Sequence, residues 1–342
     1  MGKIFGFGII GCGVISKWHA DSIEKIDEAK IIGAFDTRFE SAQKFAEERN
    51  CKAYETLEEM LACEDIDIVC ICTPSGLHSK LAIQAANAGK HFIVEKPMAI
   101  TKKQVIDMID AVEKNKVKGA VISQLRFTPS IQRAREAIRN GELGRIILGD
   151  VYMKYYRSPE YYASAGWRGT WEMDGGGALM NHGIHGIDVL QYLVGPVVSV
   201  SGVCKTLTRD IEVEDTANLI VEYASGAIGT IQGTTSVEPG YPRVIEISGT
   251  RGTIVIKEDV IVRWDVDGKE LSEDQIPKGN ANSFRNPAGF DIENHRRQIK
   301  DLIDAIKENR EPMVNVYEGK KPVDIILAAY ESSKTGKKIL LY

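Results

Sequence analysis

The apolar positions of this chain follow two different rhythms. In the first third, short continuous apolar runs alternate with amphipathic stretches. Lys3 to Ile10 reads as a buried strand, about Ser16 to Lys25 as a helix, and Ala29 to Phe35 as a second strand. Helices over Phe39 to Arg49 and Leu57 to Ala62, a strand over Ile66 to Cys72, a helix over Ser79 to Ala88 and a strand over His91 to Val94 continue the series. Strands that alternate with helices predict right-handed crossovers and a doubly wound parallel sheet. Beyond about residue 145 strand-like segments dominate: Arg145 to Tyr156, Val197 to Thr206, Ala217 to Tyr223, Ala227 to Thr235, Arg243 to Ser248 and Thr253 to Ile256. Many of these alternate apolar and polar residues, as a sheet with unlike faces requires.

A length of 342 residues predicts two domains, and the change of rhythm puts their boundary near Ala120 to Gln124. We expect domains over residues 1–122 and 123–342. Hydrophobic residues at 43%, charged residues at 27% and a formal net charge of -5 argue against a nucleic-acid or membrane-surface binder. No apolar run approaches the roughly 20 residues needed to cross a bilayer, and the amino terminus enters a strand without a secretory pattern. A cytoplasmic protein is expected. The six cysteines lack C-x-x-C spacing and are expected to be reduced.

Gly11-Cys12-Gly13-Val14-Ile15-Ser16 joins the first strand to its helix as a G-x-G-x-x-S form of the dinucleotide fingerprint. Gly11 permits the tight turn, Gly13 lets backbone approach a pyrophosphate, and Ser16 is small enough for helix–strand packing. The second strand ends in Asp36, at the separation expected of a carboxylate that binds the adenosine ribose hydroxyls. Such an acid repels the extra phosphate of NADP, so NAD is favoured, with Arg38 as a moderating neighbour. Cofactor contacts are expected from Gly11, Cys12, Gly13, Val14, Ile15, Asp36, Thr37 and Arg38, and from Thr73, Pro74 and Ser75 in the loop after the Ile66 to Cys72 strand. His78 either joins them or caps the next helix.

Two further stretches carry chemistry. Glu95-Lys96-Pro97 puts a lysine at the carboxyl end of a strand, where open parallel sheets hold ligands. Gly175-Gly176-Gly177 opens a helix that sets Asn181 and His185 four residues apart, on one α-helical face. Oxidising a secondary alcohol requires a base with a pKa near working pH, which suits histidine. A lysine near the nicotinamide stabilises developing alkoxide charge, or serves as the base itself if its pKa is lowered. His185 is preferred as base and Lys96 as its electrostatic partner.

Through these residues, together with Thr73-Pro74, Gln124-Leu125-Arg126-Phe127, Gly141-Glu142-Leu143-Gly144 and Asn294-His295, the chain resembles the Gfo/Idh/MocA oxidoreductases nearly from end to end. The resemblance implies an α/β fold class: an N-terminal Rossmann domain, then an α/β domain whose large, open, mostly antiparallel sheet shapes the substrate pocket and commonly builds homodimers or homotetramers. It gives catalytic importance to Lys96 and His185, adds Glu95, Lys96 and Gln124 to the cofactor contacts, and implies NAD as cofactor. His182, His185 and Asp188 form H-x-x-H-x-x-D, but the resemblance explains that segment without a metal, and none is expected. Asp188 is read either as the acceptor of the second His185 ring proton or as a helix-surface acid.

Inositol-dehydrogenase-like members usually carry aspartate where this chain has Asn181, and an amide cannot act as a base. Asparagine at this place is similar to that of family members acting on sugar nucleotides, including those that oxidise the 3-hydroxyl of an N-acetylated UDP-sugar acid, so the resemblance implies oxidation of a secondary ring hydroxyl, the 3-hydroxyl, of a sugar, glycoside or sugar nucleotide. Cyclitol oxidation and a non-catalytic dinucleotide sensor are the alternatives. Arg157, Trp167, Arg168, Asn181, His182, His185 and Lys96 are the expected substrate contacts, since aromatic faces suit pyranose rings and an arginine fork suits carboxylate or phosphate. The competing reading of Arg157 and Arg168 is that they sit at a rim or an oligomer interface.

Overall fold

A computed structural model describes residues 2–266, 268 and 292–341, so Met1 and Tyr342, the outer ends of the two expected domains, lie outside the described residues. The chain divides into two compact units, Met1–Gln124 with Asp291–Lys320, and Leu125–Phe290 with Lys321–Tyr342.

The first unit runs β1 (Phe5–Ile10), α1 (Val14–Ile23), β2 (Ala29–Phe35), α2 (Phe39–Arg49), β3 (Lys52–Ala53), α3 (Leu57–Ala62), β4 (Ile68–Ile71), α4 (His78–Asn87), β5 (His91–Val94), α5 (Lys102–Asn115) and β6 (Gly119–Val121). The strands form one parallel sheet in the order β3-β2-β1-β4-β5-β6. Every residue of β1 and β4 is buried, which is why these strands read as unbroken apolar runs. The order reverses between β1 and β4, the position at which open α/β sheets bind ligands beyond their carboxyl edge. Thr56 and Thr101 begin α3 and α5 by accepting N–H bonds from Glu59 and Gln104.

The second unit contributes α6 (Pro129–Arg139), β7 (Ile146–Lys154), α7 (Pro159–Ala163), α8 (Ile184–Val194), β8 (Val197–Lys205), β9 (Thr216–Tyr223), β10 (Ile228–Thr234), β11 (Val244–Gly249), β12 (Gly252–Lys257) and β13 (Val260–Val266). Two later helices, α9 (Ile292–Glu308) and α10 (Val316–Thr335), and a short β14 (Ile339–Leu340) complete the chain. The α9 residues fall in the first unit, where Ile299, Leu302 and Ile303 join the core behind β1. The second sheet has the order β13-β12-β11-β7-β10-β9-β8-β14 and is antiparallel except between β7 and β10. Its strands alternate as expected: in β9, Leu219 and Val221 are buried while Ile220 is 63% exposed.

Among the departures from the periodicity reading, two bear on the site. Helix α1 starts at Val14 rather than near Ser16, because Gly13 already serves as its N-cap residue and the Ser16 hydroxyl donates back to the Gly13 carbonyl at 2.6 Å. The glycine-led segment is not α-helical throughout. Ala178–Gly183 form a π-helical turn ahead of α8, so the four-residue spacing of Asn181 and His185 spans two helix types and not one α-helical face.

Candidate active site

In the first unit the dinucleotide turn lies at the switch point of the sheet. Gly11 has φ +88°, and a Cβ there would stand 2.9 Å from the Thr73 methyl, so the turn and the loop after β4 demand glycine. At Gly13 a Cβ would meet nothing within 4 Å, and α1 begins with no side-chain cap, which leaves open space beside uncapped amides. The Asp36 carboxylate ends β2 and accepts the backbone N–H of Cys12 at 2.8 Å and of Arg38 at 2.9 Å, while Thr37 and Arg38 are exposed. Val14 is 74% exposed and Ile15 packs partly against the core. Thr73 Oγ1 and Gln124 Oε1 are buried and make no hydrogen bond among the described residues. An open helix start, a fixed carboxylate and polar atoms held out of water fit a bound dinucleotide, which Asp36 would hold at its ribose and the first turn of α1 at its pyrophosphate.

Lys96 follows β5 and is partly exposed. Its loop is braced from two sides. His78, only 1% exposed, presents Nδ1 to the Pro97 carbonyl at 2.7 Å and Nε2 to the Thr73 carbonyl at 2.8 Å, and burial holds its pKa below the usual value. Pro74 leads into a short turn over Ser75–Leu77 in which Ser75 is buried. Glu95 is buried too, with one carboxylate oxygen 2.9 Å from His19 Nε2.

In the second unit, close packing explains the glycines. A Cβ on Gly177 would come within 2.0 Å of the Glu214 carbonyl. The Glu214 carboxylate accepts the N–H of Gly177 at 3.0 Å and of Leu179 at 2.8 Å, and the Tyr330 hydroxyl at 3.0 Å. Burial pushes Glu214 up to about 7 despite these donors. Asn181 Nδ2 donates to Asp174 Oδ1 at 2.7 Å, and the other oxygen of that fully buried acid accepts the Gly169 N–H. Asp188 is no surface acid: both its oxygens accept from Arg126, at 2.9 and 2.6 Å, in a pair sealed from solvent. His185 and His182 are partly exposed. Among the described residues no group of three or more His, Cys, Asp or Glu is arranged to hold a metal ion.

The arginines and aromatics converge on Tyr161. The Arg168 guanidinium lies 4.3 Å over its ring and 4.8 Å over Trp167, and also donates to the Tyr161 hydroxyl. Arg157 lies 5.8 Å from the same ring, and burial holds its pKa below the usual range. The His182 ring is 5.5 Å from Tyr161, tilted 54° to it. A third guanidinium, Arg209, stacks on Tyr156 at 5.2 Å. It sits in a loop that Asp215 gathers by accepting the N–H groups of Leu207, Thr208 and Arg209. Sequence reasoning missed Asp174, Glu214, Tyr330, Arg209 and His19. Each acts across a distance that no local spacing reports, although Asp174, just ahead of the glycines, stood close enough to be noticed.

Residues 5–123 match the model of the oxidoreductase family with an NAD-binding Rossmann fold, and residues 131–255 match the GFO/IDH/MocA C-terminal domain. The WlbA dehydrogenase of Bordetella pertussis, solved in complex with NADH and UDP-GlcNAcA, is 33% identical, with a TM-score of 0.90 over 100% of this chain and 99% of that one. The myo-inositol 2-dehydrogenase of Thermotoga maritima is 26% identical over 98% of each chain. The D-glucoside 3-dehydrogenase of Escherichia coli is 25% identical over 97% of this chain and 96% of that one. On this likeness in sequence and fold the chain belongs to the GFO/IDH/MocA oxidoreductase family, and its first unit is an NAD-binding Rossmann domain.

Proposed function

We propose that the protein is an NAD-dependent dehydrogenase acting on a secondary ring hydroxyl, the 3-hydroxyl, of an anionic sugar such as a sugar nucleotide, with the residues after 123 supplying the substrate contacts. The observation that carries the anionic substrate is the guanidinium cluster. Nε of Arg168 and Nε and Nη2 of Arg209 are buried and make no hydrogen bond among the described residues, an arrangement that rewards a carboxylate or phosphate. The likeness to a dehydrogenase solved with UDP-GlcNAcA points the same way.

NAD, when bound, accepts the hydride. Lys96 donates a hydrogen bond to the reacting oxygen and stabilises its growing negative charge. His185 takes the hydroxyl proton. Asn181, its amide nitrogen engaged by Asp174, orients the substrate without taking part in proton transfer. Tyr161 and Trp167 offer ring faces to the pyranose, and Arg157 and Arg168 its anionic group.

The test is NADH absorbance across UDP-sugar acids, neutral UDP-sugars, simple glycosides and inositols. Anionic sugar nucleotides should be turned over best, and Arg209→Gln should raise their KM at least about tenfold, the equivalent of one charge-assisted hydrogen bond. Equal turnover of myo-inositol would overturn the proposal.

Among the described residues no helix is long and apolar enough to cross a membrane. We place the protein in the cytoplasm, a location supported by its six free thiols. We also propose a homodimer or homotetramer built on the sheet face that exposes Val203, Ile220, Ile228 and Val262. Light scattering should give twice or four times the chain mass, and Ile220→Glu should lower it.

A further inference from the structure

Beneath the Lys96 loop the first unit buries three ionisable side chains that the proposed chemistry does not use. His19, on α1, is fully buried, and its Nε2 meets Glu95 Oε1 at 2.9 Å. The other Glu95 oxygen accepts the backbone N–H of Lys96 at 3.3 Å. His295, on α9, is 1% exposed and lies edge-on, 5.9 Å from the His19 ring and 5.8 Å from Trp18. Helix α1 is the helix that opens at the dinucleotide turn, so one side chain ties that helix to the residue preceding Lys96.

A buried carboxylate beside a lysine stabilises the ammonium form and raises the lysine's pKa. A cation on the far side of that carboxylate offsets it. We propose that His19 is a positioning residue that holds Glu95 as a compensated ion pair, and so keeps Lys96 in place and its ammonium from being over-stabilised. The inference rests on the role proposed for Lys96.

The charge states support the geometry. Burial works against a charged His19, but the sulfurs of Cys72 and Cys70 and the Glu95 carboxylate outweigh it and hold the ring's pKa well above the usual value. Burial likewise opposes ionised Glu95, yet the hydrogen bond and charge of His19, with Lys96 and, in acid where its ring is protonated, His295 behind them, hold it well below the carboxylate range. His295 is kept neutral at working pH by burial, which lowers it to about 4, so it adds no second cation. His78, on α4, also feels the charges of Glu95 and Lys96, so the titratable groups that face the pair come from α1, α4, β4 and the residue after it, α9 and the end of β5.

The experiment measures Lys96 directly in the cofactor-free protein. Lysines are reductively methylated with 13C-formaldehyde, and the Lys96 signal is assigned by its loss in Lys96→Arg. In His19→Gln, which keeps a donor but loses the charge, the Lys96 pKa should rise by about one unit. The limb of the kcat profile that follows this group should move equally, with the NADH dissociation constant within about twofold of the parent. Adding Glu95→Gln to that variant should bring the Lys96 pKa back down. If His19→Gln fails to fold, Glu95→Gln alone should lower the Lys96 pKa below its parent value, because the carboxylate is the nearer of the two charges, and an unchanged value there overturns the proposal. A Lys96 pKa that ignores both substitutions overturns the proposal, and so does an equal loss of NADH affinity and kcat with no pH shift. A correct shift alongside full activity of Lys96→Ala would instead sink the proposed role of Lys96.

Discussion

Asn181 Nδ2 donates to Asp174 Oδ1 across 2.7 Å, so position 181 faces a buried acid. An aspartate there would place a second carboxyl group against an acid that is 1% exposed. Two buried carboxylates at that distance do not both ionise at neutral pH, so one would keep its proton with a pKa raised by about three units or more. Asn181→Asp should therefore be much less active at neutral pH and gain an ionisation in its pH–rate profile that the parent lacks. Adding Asp174→Asn should remove that ionisation. An unaltered profile in Asn181→Asp would show that Asp174 exerts no such control.

Lys96 and His185 are expected to serve the chemical step and not cofactor affinity. Lys96→Ala and His185→Ala should each lower kcat by roughly 10²- to 10⁴-fold, the usual worth of positioned proton transfer or charge stabilisation. NADH binding, followed by fluorescence titration, should change by less than about threefold. Full turnover by either variant would remove that residue from the mechanism.

Asp36 accepts two backbone N–H groups and ends the strand beside the dinucleotide turn. Asp36→Ala should weaken NAD by roughly ten- to a hundredfold, the range for lost hydrogen bonds to a charged group, and NADP by less. Parallel titrations of the two cofactors decide it, and equal losses would mean that the carboxylate does not discriminate between them.

Glu214 should make stability depend on pH in the direction opposite to most acids. Its pKa is raised by burial from 4.5 to about 7, so the folded chain binds more protons than the unfolded one between these values. Stability then falls as pH rises through that window, by about 3 kcal/mol at the conversion of roughly 1.4 kcal/mol per unit. Glu214→Gln keeps an acceptor for the Gly177 and Leu179 amides but cannot titrate. Urea unfolding at pH 5 and pH 7.5 should show the drop in the parent and a smaller one in the variant.

Much of this protein was legible without coordinates because its signals are local. A buried parallel strand must be apolar throughout, a half-exposed strand must alternate, and a dinucleotide turn needs glycine where backbone bends or closes up. Periodicity therefore located β2, α2, α3 and β5 to the residue, and spacing singled out Gly11, Asp36, Lys96 and His185. Spacing failed where it presumed 3.6 residues per turn, since the segment bearing Asn181 is π-helical. It failed again wherever a side chain is answered from far along the chain. Glu214 with Gly177, Asp188 with Arg126 and His19 with Glu95 are 37, 62 and 76 residues apart. Sequence determined which side chains the chain offers for chemistry, because chemistry resides in the residue type. Tertiary structure decided the charge of Glu214, Glu95 and His295 and the partners of Asn181 and Asp188, because burial and the group brought against each one set the free energy of its charge.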